Sequence, residues 1–230
     1  MTEMPSAHSP ANVLDLEAYR TRIALDTPHN PPRWISANDA DSVVDRLVAH
    51  LLSEGVPERV LREVRRLGDR PGAARRILTA ALTVRHPYGL PEDFLEDVDA
   101  ILAYEAASRP VMQPANLPVV AATVPETAYP AASRTALWQG DITHLAADAI
   151  VNAANDALLG CFAPFHRCID NAIHLASGPR LRDDCARIMD AQGHPEPVGE
   201  AKATRAYGLP SRFVLHTVGP QVRKIGRAHV

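Results

Sequence analysis

Apolar residues recur at helical spacing through residues 35–108 and in short strand-like runs after residue 133, with stretches lacking any period before and between. Val43, Val44, Leu47, Val48, Leu51 and Leu52 form one stripe. Val60, Leu61, Val64 and Leu67 form a second, beyond a break at Gly55, Val56 and Pro57. A third, through Ile77, Leu78, Ala81 and Leu82, stops ahead of His86 and Pro87. The fourth opens at Pro91, Glu92 and Asp93, a proline and two acids suited to a helix N-terminus, and carries Phe94, Leu95, Val98, Ile101 and Leu102. Four short amphipathic helices are predicted, packed as a bundle or as a cap on a neighbour. Arg62, Arg65, Arg66, Arg75 and Arg76 alternate with Glu58 and Glu63, which favours a solvated surface over a phosphate-binding face.

Residues 1–34 hold several prolines and only a weak helical pattern over 14–25, so a mobile arm is expected there. Residues 109–132 are rich in proline and alanine and read as a linker. From residue 133 the character changes. Runs at 136–138, 149–152, 201–207 and 213–218 read as strands, and 169–176 as a helix stopped by Ser177, Gly178 and Pro179. A further helical stripe runs through Leu181, Cys185, Ile188 and Met189, which puts Cys185 on an apolar face in the core. Strands alternating with helices predict an α/β sheet with its ligand site at strand ends.

Composition narrows the class. The 230 residues are 46% hydrophobic and 22% charged, with a net charge of -3, which fits neither a disordered nor a membrane chain. Mild acidity argues against a sequence-independent nucleic-acid binder. No signal sequence or spanning run is evident, so a cytoplasmic location without membrane partners is expected. The chain has 3 cysteines, and two of them cluster with a histidine, the pattern of a metal site rather than a disulfide framework.

That cluster is Cys161, His166 and Cys168, on a stretch that begins at Gly160 and turns at Pro164. Thiolate and imidazole are the usual donors to zinc, and a d10 ion imposes no geometry that so short a loop would have to match. Three protein ligands leave a coordination position open, the mark of a catalytic zinc. The spacing C-x4-H-x-C is not that of a zinc finger, and a buried thiol pair beside a loop histidine is the alternative reading.

The surrounding motifs resemble the macrodomain family. They are Gly140, Asp141, Ile142 and Thr143; Asp148 to Asn155; Gly199 to Pro210; and Val214 to Pro220. The insertion from Gly160 to His174 resembles more narrowly the zinc-containing macrodomains, which are protein-ADP-ribose hydrolases. The resemblance implies an N-terminal helical region (35–108) followed by a macrodomain of three-layer α/β/α form, of which 133–222 is the N-terminal part. It implies Zn2+ held by Cys161, His166 and Cys168, with ADP-ribose and ADP-ribosylated protein as partners.

Asp141 would meet the adenine amino group with the Ile142 backbone nearby, or else cap a turn. Asn155 would hold the distal ribose, and Asn152 would brace the loop beside it. Asp170 would act as general base or orient a ligand, with capping of the following helix as the alternative, and Asn171 would support the substrate. His174 stands at i, i+4 from Asp170 and reads as a packing histidine. Phe165 departs from the family pattern, which bears on how the loop packs. The expected activity is removal of ADP-ribose from protein side chains. The alternatives are a non-catalytic ADP-ribose reader with a structural zinc and a metal-stabilised interaction module without a nucleotide site.

The last residues fit none of this. Ile225 to Val230 match the translation of a common sequencing-library adapter, so 223–230 is expected to be a non-native tail on a macrodomain cut short.

Overall fold

The computed structural model describes residues 13–29, 33–68 and 70–220. The tail expected at 223–230 lies outside the described residues, as do residues 1–12 and 30–32 of the expected arm. The four apolar stripes fold as α2 (Ala37–Ser53), α3 (Glu58–Leu67), α4 (Ala73–Val84) and α5 (Glu92–Ala107), preceded by a short α1 (Leu16–Arg20). Helix α2 packs on α4 and α5, and α3 on α4. Their shared core includes Val44, Leu47, Leu51, Leu78, Val98 and Ile101. The arginines behave as solvated pairs for the most part: Arg65 bonds Glu58, Arg66 bonds Glu63, and Arg75 Nη2 donates to Glu105 at 2.9 Å.

The segment expected to be mobile departs from that reading over 13–29. Tyr19, Ile23 and Leu25 are buried in one cluster with Ile188, and Asp15 caps α1 by accepting from the Ala18 N–H. The prolines flank this apolar patch and do not interrupt it, so nothing prevents it from packing. The expected linker also carries structure. It holds a 3-10 turn at Pro114–Asn116, a helical turn α6 (Val120–Thr123), and a backbone link in which Met112 N donates to His144 O at 2.9 Å. The run 136–138 forms no strand: Ala136 makes one bridge to Val119, and Leu137 is 81% exposed.

Strands β1 (Ala149–Ala154), β2 (Ala201–Arg205) and β3 (Phe213–Val218) form a mixed sheet in the order β1-β3-β2. β1 runs parallel to β3 and β2 antiparallel to it. The α/β class expected from the sequence is therefore the one observed. Between β1 and β2 come α7 (Ile169–Ser177) and α8 (Pro179–Gln192), α7 packing on β1 and α8 on β2. Side chains alternate across a strand, so Ile150 and Val214 face these helices while Val151 points the other way and is 53% exposed. The same alternation turns polar residues inward. Asn152, His216 and Lys202 face one another in register across the three strands, and all are buried. Lys202 Nζ donates to Glu196 Oε1 at 2.7 Å, which compensates its charge.

The helical region is bonded to α8. Arg180 Nε donates to Asp99 at 2.9 Å and its Nη2 to Glu92 at 2.6 Å, while Asp183 accepts from the Tyr88 N–H at 2.6 Å.

Candidate metal centre and its surroundings

The parallel strand β1 delivers the chain to a loop over 155–168, which returns it to the N-terminus of α7. Asn155 closes the first part of this loop. Its Oδ1 accepts from Ala157 N at 3.1 Å and its Nδ2 donates to Gly160 O at 3.0 Å. The loop then turns at Ala163, Pro164, Phe165 and His166, with His166 N donating to Ala163 O at 3.1 Å. Pro164 sits at i+1 and Phe165 at i+2 with φ +62, the type II pattern, in which glycine usually fills the second place.

Cys161, His166 and Cys168 come together at this turn. One donor atom from each lies within 4.8 Å of the others, and Cys161 Sγ is 3.4 Å from His166 Nδ1. Cys168 is the N-cap of α7, with its Sγ accepting from the Asn171 N–H at 3.4 Å. Burial pushes the Cys168 thiol up, against the pull of that N–H. Two sulfurs and an imidazole within this span, with His166 exposed and both cysteines half-buried, fit a soft or borderline divalent ion with one side open.

The other expected site residues distribute unevenly. Asn171 Nδ2 donates to His166 O at 3.0 Å, so it braces the loop that carries the candidate ligands, and it is buried at 3% exposure. Asn152 was expected to brace the loop beside a nucleotide. It is instead fully buried, because the alternation of β1 turns it toward α7, where its Nδ2 donates to Asp170 Oδ1 at 2.8 Å. Asp170 is likewise inward-facing, at 6% exposure. Burial raises its carboxyl above the ordinary range, while the Asn152 amide pulls the other way. The reading of Asp170 as helix cap is replaced, since Cys168 fills that position.

Asp141 is exposed and caps the 3-10 turn Ile142–His144, with one oxygen accepting from the Thr143 N–H at 2.9 Å and its Oγ1–H at 2.7 Å. Partial burial acts upward on Asp141, yet these bonds hold it below the usual carboxylate range. Ile142, beside it, is half-buried.

His174, Cys185 and His216 form a second close group, all of them buried. The Asn152 amide nitrogen lies 3.1 Å from His216 Nδ1, and since an amide nitrogen only donates, that ring atom accepts. The proton then sits on Nε2, 3.0 Å from Thr204 Oγ1, so His216 is satisfied within the core, while both ring nitrogens of His174 are buried without a hydrogen-bond partner among the described residues. Burial lowers the His216 ring to about 4. The helical stripe through Cys185 shows only its burial. The alternation of β3, which puts His216 on the face of Val214 and Val218, is the signal that could have marked that histidine as internal.

The sequence profile of the family described as "Macro domain" matches residues 151–229. The chain is 56% identical over 89 residues to a protein-ADP-ribose hydrolase of Staphylococcus aureus (strain Mu50 / ATCC 700699), covering 39% of this chain and 34% of that protein. A protein-ADP-ribose hydrolase of Treponema medium is 43% identical over 144 residues, covering 63% of this chain and 52% of that one. Among solved structures, a Trypanosoma brucei macrodomain in complex with ADP-ribose is 33% identical, with a TM-score of 0.40, over 62% of this chain and 59% of that one. The chain thus spans between a third and about half of the length of these curated relatives.

Proposed function

We propose that the chain carries part of a zinc-dependent macrodomain that hydrolyses the bond between ADP-ribose and a protein side chain. The observation that supports this most is the convergence of Cys161, His166 and Cys168 within 4.8 Å on the loop that follows β1, inside the residues that match the Macro domain family, in a chain similar over 89 residues to a named protein-ADP-ribose hydrolase. Two thiolates and an imidazole would hold the ion, which supplies Lewis-acid polarisation of an oxygen at the sugar.

The remaining chemistry belongs to the chain. Asp141, exposed and ionised, presents an acceptor for an adenine amino group beside Ile142. Asn155 stands at the mouth of the metal loop, where an amide can hold a ribose. Asp170 is a carboxyl of raised proton affinity, which suits a group that takes up a proton, and Asn152 aims it. Asn171 holds the backbone of a ligand-bearing residue.

The burial of Asp170 and Asn171 favours a second reading, an ADP-ribose reader whose zinc only stiffens the loop. A de-ADP-ribosylation assay on the zinc-loaded chain, with and without chelator, together with ADP-ribose titration by calorimetry, separates the two. Chelator-sensitive turnover is expected. ADP-ribose binding without turnover at any zinc level would replace the hydrolase with the reader.

A further inference from the structure

The candidate metal loop does not rest on the sheet alone. Of its two phenylalanines, Phe162 precedes the turn and Phe165 sits within it, and both reach the helical region. Phe165 packs against the core of α2, α4 and α5, with the Arg76 guanidinium from α4 at 4.4 Å from its ring. Phe162 lies between the His86 ring, at 5.3 Å, and the guanidinium of Arg182, at 4.8 Å.

Arg182 ties these contacts together. It is 7% exposed, and every group it bonds is a backbone carbonyl. Its Nε donates to Leu159 O at 2.8 Å, two residues before Cys161. Its Nη1 donates to Leu82 O at 2.8 Å and Arg85 O at 2.6 Å, at the C-terminal end of α4. The last carbonyls of a helix have no partner within it, and a planar guanidinium satisfies several at once where a lysine ammonium would not. One side chain of α8 therefore fixes the end of a helical-region helix and the entrance of the metal loop at the same point.

The loop conformation calls for such an anchor. A phenylalanine at φ +62 is strained backbone, which persists only where the surroundings over-determine it. The ring of Phe165, seated on the helical core, holds that turn, and the turn sets His166 against Cys161 and Cys168.

We infer that the helical region of residues 35–108 is the positioning scaffold of the zinc loop, acting through Phe165 and Arg182, so that the affinity of the Cys161, His166 and Cys168 site is set by contacts outside the sheet. This rests on the zinc reading above. Phe165 and Arg182 are positioning residues and touch neither ion nor substrate.

The test measures Zn2+ affinity by competition with a chromophoric chelator and the Co2+ ligand-field spectrum, on the full chain and its variants. Phe165→Ala is expected to weaken Zn2+ binding at least tenfold and to shift the Co2+ bands, with far-UV circular dichroism unchanged. Phe165→Tyr, which keeps the ring, should stay within threefold of the parent. Arg182→Met should lose at least as much as Phe165→Ala. Should it fail to fold, the exposed Arg76→Ala takes its place, with a loss of about threefold expected. Parent-like affinity and spectrum in folded Phe165→Ala would overturn the inference and leave the zinc site standing. Absence of any thiolate-to-Co2+ band in the unsubstituted chain would instead remove the zinc reading, and the inference with it.

Discussion

Gly160 shows how a single position joins the loop to the core. Its φ is +82, and a Cβ there would come within 2.9 Å of Cγ of the buried His174 ring. The backbone of the loop entrance therefore lies directly on an imidazole that α7 holds in place. Gly160→Ala should lower stability by about 2–4 kcal/mol, adding left-handed backbone strain to an overpacked contact. Gly193 is the control. It has φ +74 with nothing within 4 Å of the added carbon, so Gly193→Ala carries the backbone cost alone, about 1–2 kcal/mol. Equal urea midpoints for the two variants would show that the His174 contact counts for nothing. The sequence marked Gly160 as a loop start and His174 as a packing histidine, but nothing in the spacing of these residues says that one rests on the other. That Cys161, His166 and Cys168 would meet was legible because their separation is short. Asn152 falls in a predicted strand, but its expected role as a loop brace does not foresee that the alternation of β1 turns its side chain inward to Asp170.

At the scale of elements, the sheet carries a buried polar row whose protonation is tied to folding. His216 on β3 meets Asn152 from β1, Thr204 from β2, Cys185 from α8 and the His174 ring from α7, with Lys202 beside it in register. Burial depresses its ring from the ordinary 6.5 to about 4. The unfolded chain therefore binds a proton here that the folded chain refuses. The resulting stability is fully present above pH 6.5 and is lost as pH falls toward 4, at about 1.4 kcal/mol per unit. His174, lowered in the same direction chiefly by burial, adds to the slope. Asp170, raised by burial, acts in the opposite sense, since its stability is lost as pH rises through its folded value. Asp184, a second carboxyl raised by burial, joins Asp170, and the two histidines outweigh these two carboxyls, so the urea midpoint should fall steadily from pH 6.5 to 4.5. A flat midpoint across that window would mean that His216 is not held neutral. Strand and helix positions for 149–218 followed from period and breakers, because each element there presents one apolar stripe or one alternating face. The polar row was legible only in part, because the alternation of β3 puts His216 on the face of Val214 and Val218, but nothing in the spacing says that Asn152 and Lys202 meet it there.

At the scale of the whole molecule, the segment that composition made look mobile covers the β2 edge at Ala203 among the described residues. An edge strand leaves a row of unpaired backbone groups, and β2 has only β3 beside it among the described residues. The Tyr19 hydroxyl accepts from the Ala203 N–H at 2.9 Å, across 184 positions of sequence, while its ring is buried at 2% exposure. Local period could not foresee this. The helix holding Tyr19 has only 5 residues, too short for a stripe, and its partner strand lies near the other end of the described chain. The apolar ring and the polar tip have separable roles, which two substitutions resolve. Tyr19→Phe keeps the ring and strands the Ala203 N–H, at a cost of about 1–2 kcal/mol. Tyr19→Ala also empties the cluster with Ile23, Leu25 and Ile188, which raises the cost to about 3–5 kcal/mol. Hydrogen exchange adds the local readout, since the Ala203 amide should exchange about tenfold faster in Tyr19→Phe, by the factor that 1.4 kcal/mol represents. If the Ala203 amide exchanged at an unchanged rate while stability fell, Tyr19 would be filling space beside the sheet without closing its edge.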